Sequence, residues 1–141
     1  MKIRSKFFVL FLICLFFLLP FSLKAESFVP GQAVEVLWKG VWFKAEIEKL
    51  LDEDLYRVKF YGEWKNQNET VAAERLRKPP VRQAPDWSKI KKGEAVEIFE
   101  FDHWRPALFV EIRMYQALLR YADGLKMKED LFPLSRVMSL R

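Results

Sequence analysis

Gly31-Gln32-Ala33-Val34-Glu35-Val36 returns further along the chain as Gly93-Glu94-Ala95-Val96-Glu97-Ile98, and the likeness continues at the same spacing. Trp42 falls on Trp104 and Ala45 on Ala107, so six positions of segment 31–45 are identical: Gly31, Ala33, Val34, Glu35, Trp42 and Ala45. Chance alone would give about one, because common residues each make up roughly 5–10% of a chain. Dropping one residue in a later turn keeps the register, with Val58 over Leu119, Lys59-Phe60 over Arg120-Tyr121 and Glu74-Arg75-Leu76 over Ser135-Arg136-Val137. A repeat of this length is a small domain rather than one link of a solenoid.

Each copy reads as short strands. Val34, Val36 and Trp38 alternate with Glu35 and Leu37, the period-2 pattern of a half-buried strand. Trp42 to Leu50 alternates more loosely, and Asp52-Glu53-Asp54 supplies a polar turn. Tyr56, Val58 and Phe60 then point one way while Arg57 and Lys59 point the other. Gly62 closes that strand; Glu69 to Ala73 forms a fourth, before a short helical turn at Glu74-Arg75-Leu76. The second copy places strands near Ala95 to Phe99, Trp104 to Ile112, Ala117 to Tyr121 and Lys128 to Phe132, with a turn at Asp123-Gly124; Ala117-Leu118-Leu119 fits a helix equally well on propensity. Four or five short twisted strands bury a core best by curling into a barrel. The fold class expected is therefore all-β, two small antiparallel barrels in tandem, at residues 29–78 and 91–141. Between them, Lys78-Pro79-Pro80-Val81-Arg82-Gln83-Ala84-Pro85 lacks periodicity and carries three prolines, so 79–90 reads as a stiff, extended linker.

The beginning of the chain has a different character. Lys2, Arg4 and Lys6 precede an apolar run from Phe7 to Phe21, and Ser22-Leu23-Lys24-Ala25 offers a small residue before Glu26. That order describes a secretory signal peptide at residues 1–25. The alternative is a membrane anchor at residues 7–21, but a span takes roughly 20 apolar residues and this run ends sooner, on Pro20 and Ser22. The expected location is thus periplasmic or secreted, with contact to a membrane only through that segment if it is uncleaved. The single cysteine, Cys14, lies inside the run without the small-residue context of a lipid-attachment site, so the remainder has no thiol for a disulfide or a metal. Lys2, Arg4, Lys6 and Lys24 account for 4 of the 24 basic residues, leaving 20 against 19 acidic ones, a balance of +1. A nucleic-acid binder shows a clear basic excess. That partner is not expected.

The framework residues resemble the Tudor and agenet group of domains. The resemblance is carried by Gly31-x-x-Val34-Glu35-Val36, then Trp42-Phe43-Lys44-Ala45, Tyr56-Arg57-Val58-Lys59-Phe60-Tyr61-Gly62 and Val71-Ala72-Ala73-Glu74-Arg75-Leu76-Arg77. It extends to Gly93-x-x-Val96-Glu97-Ile98, Trp104-Arg105-Pro106-Ala107 and Phe132-Pro133-Leu134-Ser135-Arg136-Val137 in the second copy. The resemblance implies an SH3-like barrel in each copy, and a protein or peptide partner rather than a cofactor. It also implies a site: many Tudor-type domains hold methylated lysine or arginine in a cage of aromatic rings, where a weakly hydrated cation meets several negative ring faces. By position in the motif that cage falls on Trp38, Phe43, Phe60 and Trp64. Tyr61 replaces Phe60 if the register slips by one, and Asn66 or Asn68 offers an amide to the ligand's backbone. In the second copy the same positions hold Glu100, Arg105, Tyr121 and Leu125, so one wall remains and no cage is expected there.

The competing reading of these aromatics is simply barrel core; Trp42, Tyr56 and Val58 are expected there, whereas Trp38 and Trp64 sit at a strand end and in a turn. Catalysis and metal binding find little support. His103 is the only histidine and lies beside Asp102 and Trp104 in what reads as a surface turn, with no second histidine or cysteine to complete a dyad or ligand set. Asp52-Glu53-Asp54 lacks the glycine and spaced carboxylates of a calcium loop. Lys89, Lys91 and Lys92 beside Trp87 read as a hydrated entry to the second barrel or a weak contact for phosphate head groups. The function expected is an exported, non-enzymatic binding protein. The alternatives are a structural component of an envelope assembly using barrel edges, or a nucleic-acid or chromatin-type binder should the first segment not be a signal.

Overall fold

The computed structural model describes residues 26–65 and 67–141. The signal-peptide reading falls on residues 1–25 and so lies outside the described residues. Five strands form the first barrel: β1 (Ala33–Trp38), β2 (Val41–Asp52), β3 (Leu55–Phe60), β4 (Asn68–Ala72) and the short β5 (Leu76–Arg77). A two-residue strand follows, β6 (Arg82–Gln83), and then the second barrel: β7 (Ala95–Glu100), β8 (His103–Arg113), β9 (Gln116–Asp123), β10 (Lys126–Pro133) and β11 (Val137–Leu140). All pairings are antiparallel. The described residues contain single 3₁₀ turns but no α-helix. Ala117, Leu118 and Leu119, ambiguous on propensity, are strand. Their pairing with β8 and β10 settles what local preference leaves open.

The duplication is repeated in detail. β1 pairs with β2 and β5 in the first barrel, as β7 pairs with β8 and β11 in the second. Both long strands carry a bulge at the same place, after Ile47 in β2 and after Phe109 in β8. An extra residue there bends the strand so that it serves two sides of a small barrel. The first hairpin of each barrel is a two-residue turn with positive φ at both positions, Lys39-Gly40 (49° and 78°) and Phe101-Asp102 (45° and 62°), the twist that matches paired strands.

The period-2 pattern of β3 translates directly into burial. Tyr56, Val58 and Phe60 enter a core with Val34, Val36, Phe43, Ala45, Ile47 and Val71, closed at one end by Phe28 edge-on to Tyr56. The second core holds Val96, Ile98, Ala107, Phe109, Leu119, Phe132 and Val137, with Trp87 and Ile90 packed against it. The segment between the barrels is not a free spacer: Arg82–Gln83 pairs with β11, and Trp87 lies 6.3 Å from Phe109.

The barrels are joined edge to edge. β2 pairs with β8 through Trp42↔Trp104 and Phe43↔His103, making one continuous sheet. Glu35 and Glu97, which alternation alone places outward, are instead 1% and 2% exposed. Each carboxylate meets both Arg77 and Arg82. Arg77 donates from Nε to Glu35 Oε2 (2.8 Å) and from Nη2 to Glu97 Oε1 (2.6 Å); Arg82 donates from Nε to Glu97 Oε2 (2.8 Å) and from Nη2 to Glu35 Oε2 (2.9 Å). The guanidinium of Arg77 stacks 3.9 Å over Trp42 and that of Arg82 4.1 Å over Trp104. Trp42 is therefore a half-buried part of the junction rather than of the barrel core. Burial opposes the charge on Arg82, but the hydrogen bonds and fields of both carboxylates outweigh it and hold its pKa above the ordinary arginine value.

Candidate functional site

Each candidate ring arrives from a different element. Trp38 ends β1, Phe43 lies in β2, Phe60 ends β3, and Trp64 closes the 3₁₀ turn Gly62–Trp64 that follows. Curling the sheet brings these ends together. Trp38 and Phe43 stand 5.7 Å apart, Trp38 and Trp64 6.0 Å, Phe43 and Trp64 5.6 Å, and Phe43 and Phe60 6.3 Å, with interplanar angles between 62° and 88°. Edge-to-face packing of this kind suits the ring quadrupoles and leaves the faces diverging around a gap. That gap is a cavity of about 30 Å³ lined by Trp38, Phe43, Phe60, Trp64, Gln67 and Glu69.

The rings divide into floor and rim. Phe43 and Phe60 are 5% and 7% exposed and belong to the core as well as the cavity, while Trp38 at 38% forms the rim. Phe43 and Phe60 therefore fit the core reading while also lining the cavity, and Trp38 stands exposed at its mouth. Lys39 brings its Nζ to 4.5 Å from the centre of the Trp38 ring, so the chain's own cation already rests on that rim. Glu69 is held in place by Arg75, whose Nη1 lies 2.7 Å from its Oε1 and whose Nε donates to the carbonyl of Leu37.

Gln67 and Glu69 are lining residues that the sequence reading did not select. For Glu69 the signal was available: Val71 is buried in the core, and a residue two positions away on a strand shares its face. The secondary candidates lie elsewhere. Tyr61 is exposed and donates its hydroxyl to Glu46, a bond that raises the tyrosine pKa, and it does not line the cavity. Asn68, exposed and paired with Lys59, is also absent from the lining. Asn66 lies outside the described residues.

Beyond the rim the cavity opens onto a groove of about 730 Å³ between the barrels, which Trp38, Phe43 and Trp64 share with His103, Arg105, Asp123, Gly124 and Leu125. His103 is a correction to the sequence reading. It is not a turn residue but the first residue of β8, paired with Phe43, with its ring 5.0 Å from that ring. The corresponding place in the second barrel is filled from within. Arg105, in the register of Phe43, carries its guanidinium 5.1 Å from the centre of the Tyr121 ring, with Glu100 3.8 Å from its Nε. Tyr121 donates to Asp130 at 2.6 Å, which pushes its pKa up to about 12. Among the described residues no group of three or more His, Cys, Asp or Glu side chains is placed to hold a metal ion.

Two SH3-like barrels in tandem, joined through their second strands, define a Tudor-type double domain. The Agenet domain family matches residues 31–81, which is the first barrel and the start of the connecting segment. Among solved structures, an AGDP1 fragment from Arabidopsis thaliana (AGD34) is similar over 78% of this chain and 80% of its own, at 19% identity and a TM-score of 0.62. The tandem Agenet domain 3-4 of ADCP1 is similar over 78% of each chain, at 21% identity and a TM-score of 0.61. No curated protein sequence matches. Residues 31–81 thus match the Agenet domain, and the chain as a whole has the fold of tandem Tudor/agenet-type barrels.

Proposed function

We propose that the protein is a non-enzymatic binding protein whose first barrel captures a methylated or quaternary ammonium group, carried by a peptide or another extended ligand. One observation carries this reading: four aromatic rings from four elements surround a single cavity, with the carboxylate of Glu69 in its lining. Ring faces attract a cation by about 0.5–2 kcal/mol each, more as water is excluded. A carboxylate adds to that attraction without demanding a hydrogen bond, which a quaternary group cannot donate. The groove at the rim gives the rest of an extended ligand a path.

Agenet-type domains are protein- and peptide-binding modules, which supports a binder over an enzyme. Export belongs to the proposal on the strength of the charged start and apolar run of residues 1–25. In that setting the ligand is an envelope or extracellular peptide, or a trimethylated head group, rather than an intracellular one. A role in assembly through open barrel edges is the second reading, and β10 is such an edge, since among the described residues it pairs only with β9. Lys126, Lys128, Glu129 and Asp130 stud that strand, the usual guard against edge pairing. The cavity is the better-supported site.

The test is a titration of a trimethyllysine peptide, followed by tryptophan fluorescence and calorimetry. Binding of one peptide per chain is expected, with W38A weakening it about tenfold or more while the circular dichroism spectrum is retained. If W38A unfolds the barrel, or binds as well as the wild type, Trp38 is a packing residue and the reading fails.

A further inference from the structure

The cavity of the first barrel rests against the second barrel. Phe43, its most deeply buried wall, is paired across β2 and β8 with a residue of the other barrel, and that residue is the chain's single histidine. The His103 ring packs 5.0 Å from the Phe43 ring, tilted by 41°, and His103 lines the groove into which Trp38, Phe43 and Trp64 open. We infer that His103 is a positioning residue of the cation site and makes cation binding proton-linked, weakening it as the imidazole becomes charged. The inference rests on the reading of the cavity as a cation site.

The ring's hydrogen bonds fix its resting state. Nδ1 lies 3.1 Å from the carbonyl oxygen of Phe101, so that nitrogen carries the proton and donates. Nε2 is buried without a hydrogen-bond partner. A lone pair so placed is tolerable against an aromatic ring; an N–H⁺ there is not, since nothing nearby accepts it. Burial accordingly lowers the His103 pKa below the ordinary histidine value, the main cause, with the Phe101 carbonyl opposing and the positive charge of Arg105 assisting. Glu100 and Asp102 on the ring's own hairpin favour the imidazolium and Arg105 disfavours it; Lys39 and Asp123 line the same groove, and Asp123 is paired with Lys128.

At neutral pH the site therefore sees a neutral ring. On acidification a second positive charge enters on the order of 10 Å from the bound cation, with the Phe43 ring between them. Two like charges at that range in a partly dry site weaken binding roughly two- to tenfold. Linkage requires the reverse effect, that a bound cation lowers the pKa of His103 further.

Tetramethylammonium chloride is the suitable probe, because its charge does not titrate and its own protonation cannot imitate the effect. Its affinity is to be measured by tryptophan fluorescence from pH 8 to pH 5 at constant ionic strength, for wild type, H103F and H103Q. The expected result is a roughly two- to tenfold loss in the wild type over the acid half of the range, and a flat profile in both variants. H103Q keeps the comparison available if H103F perturbs the junction. The His103 pKa from NMR should fall when the probe is added. A flat wild-type profile, or the same slope in the variants, overturns the inference while leaving the cation site standing. No binding at any pH overturns the cation-site reading and this inference with it.

Discussion

At the residue scale, three positions carry consequences that can be measured. Gly62 has φ of 67°, and a Cβ built there comes within 2.5 Å of Asp102 Oδ2, on the hairpin of the other barrel. G62A combines backbone strain of about 1–2 kcal/mol with a displaced Asp102 side chain, so a fall in melting temperature is expected, and D102A in the same chain should recover the steric part only. His103 ties stability to pH. Its folded pKa is depressed, so the unfolded chain takes up the proton first, and stability present above the ordinary histidine pKa of about 6.5 is lost as the pH falls below it. Thermal melts between pH 7.5 and 5 should show a steeper decline for the wild type than for H103F; parallel declines would mean that burial of His103 costs nothing. Tyr121 works at the other end of the scale. Its raised pKa favours the protonated phenol in the fold, a contribution complete below about pH 10 and lost as the pH rises toward about 12.

At the scale of elements, alternation was legible wherever one face of a strand meets a core and the other meets water. Tyr56, Val58 and Phe60 in β3 follow that rule, and every strand expected from it in the two barrels is present with ends moved by a residue or two. Glu35 and Glu97 break the rule. Both faces of β1 and β7 are covered, one by a barrel core and one by the junction, and no local pattern announces a second cover. Their identity in both copies was visible, but its cause, a shared pair of arginines from β5 and β6, depends on how the barrels meet. The same holds for the segment with three prolines, which composition marks as a spacer and tertiary pairing turns into a strand. A buried ion box adds little over a well-packed apolar one, yet removing one member leaves an uncompensated charge and costs about 3–5 kcal/mol. E97A and R82A should each lower stability by that order, and the double variant by much less than their sum. Additive losses in a denaturant-unfolding cycle would show that the four side chains do not act as a unit.

At the scale of the whole molecule, duplication of the fold has not meant duplication of the site. The four cavity rings were legible in the sequence because the framework around them fixes their places in the barrel, and Glu69 could have been read from its place two residues before Val71; Gln67 and the neighbouring His103 were not legible, since they reach the site through the turn before β4 and the second barrel. In that second barrel Arg105 fills the corresponding position, so one copy presents an opening and the other a plug. The continuous sheet and the ion box bind the two into one body, and a single unfolding transition is expected by calorimetry; two separated transitions would mean that the junction couples them weakly. The central claim is that the opening in the first barrel selects a cation rather than any apolar group of that shape. The most direct measurement compares a trimethyllysine peptide with its neutral carbon isostere, in which a tert-butyl group replaces the trimethylammonium, while the indole NMR signals are followed. The expected result is at least about tenfold tighter binding of the charged peptide, with the shifts concentrated on Trp38 and Trp64. Equal affinity for both peptides, or shifts concentrated on Trp42 and Trp104, would contradict it.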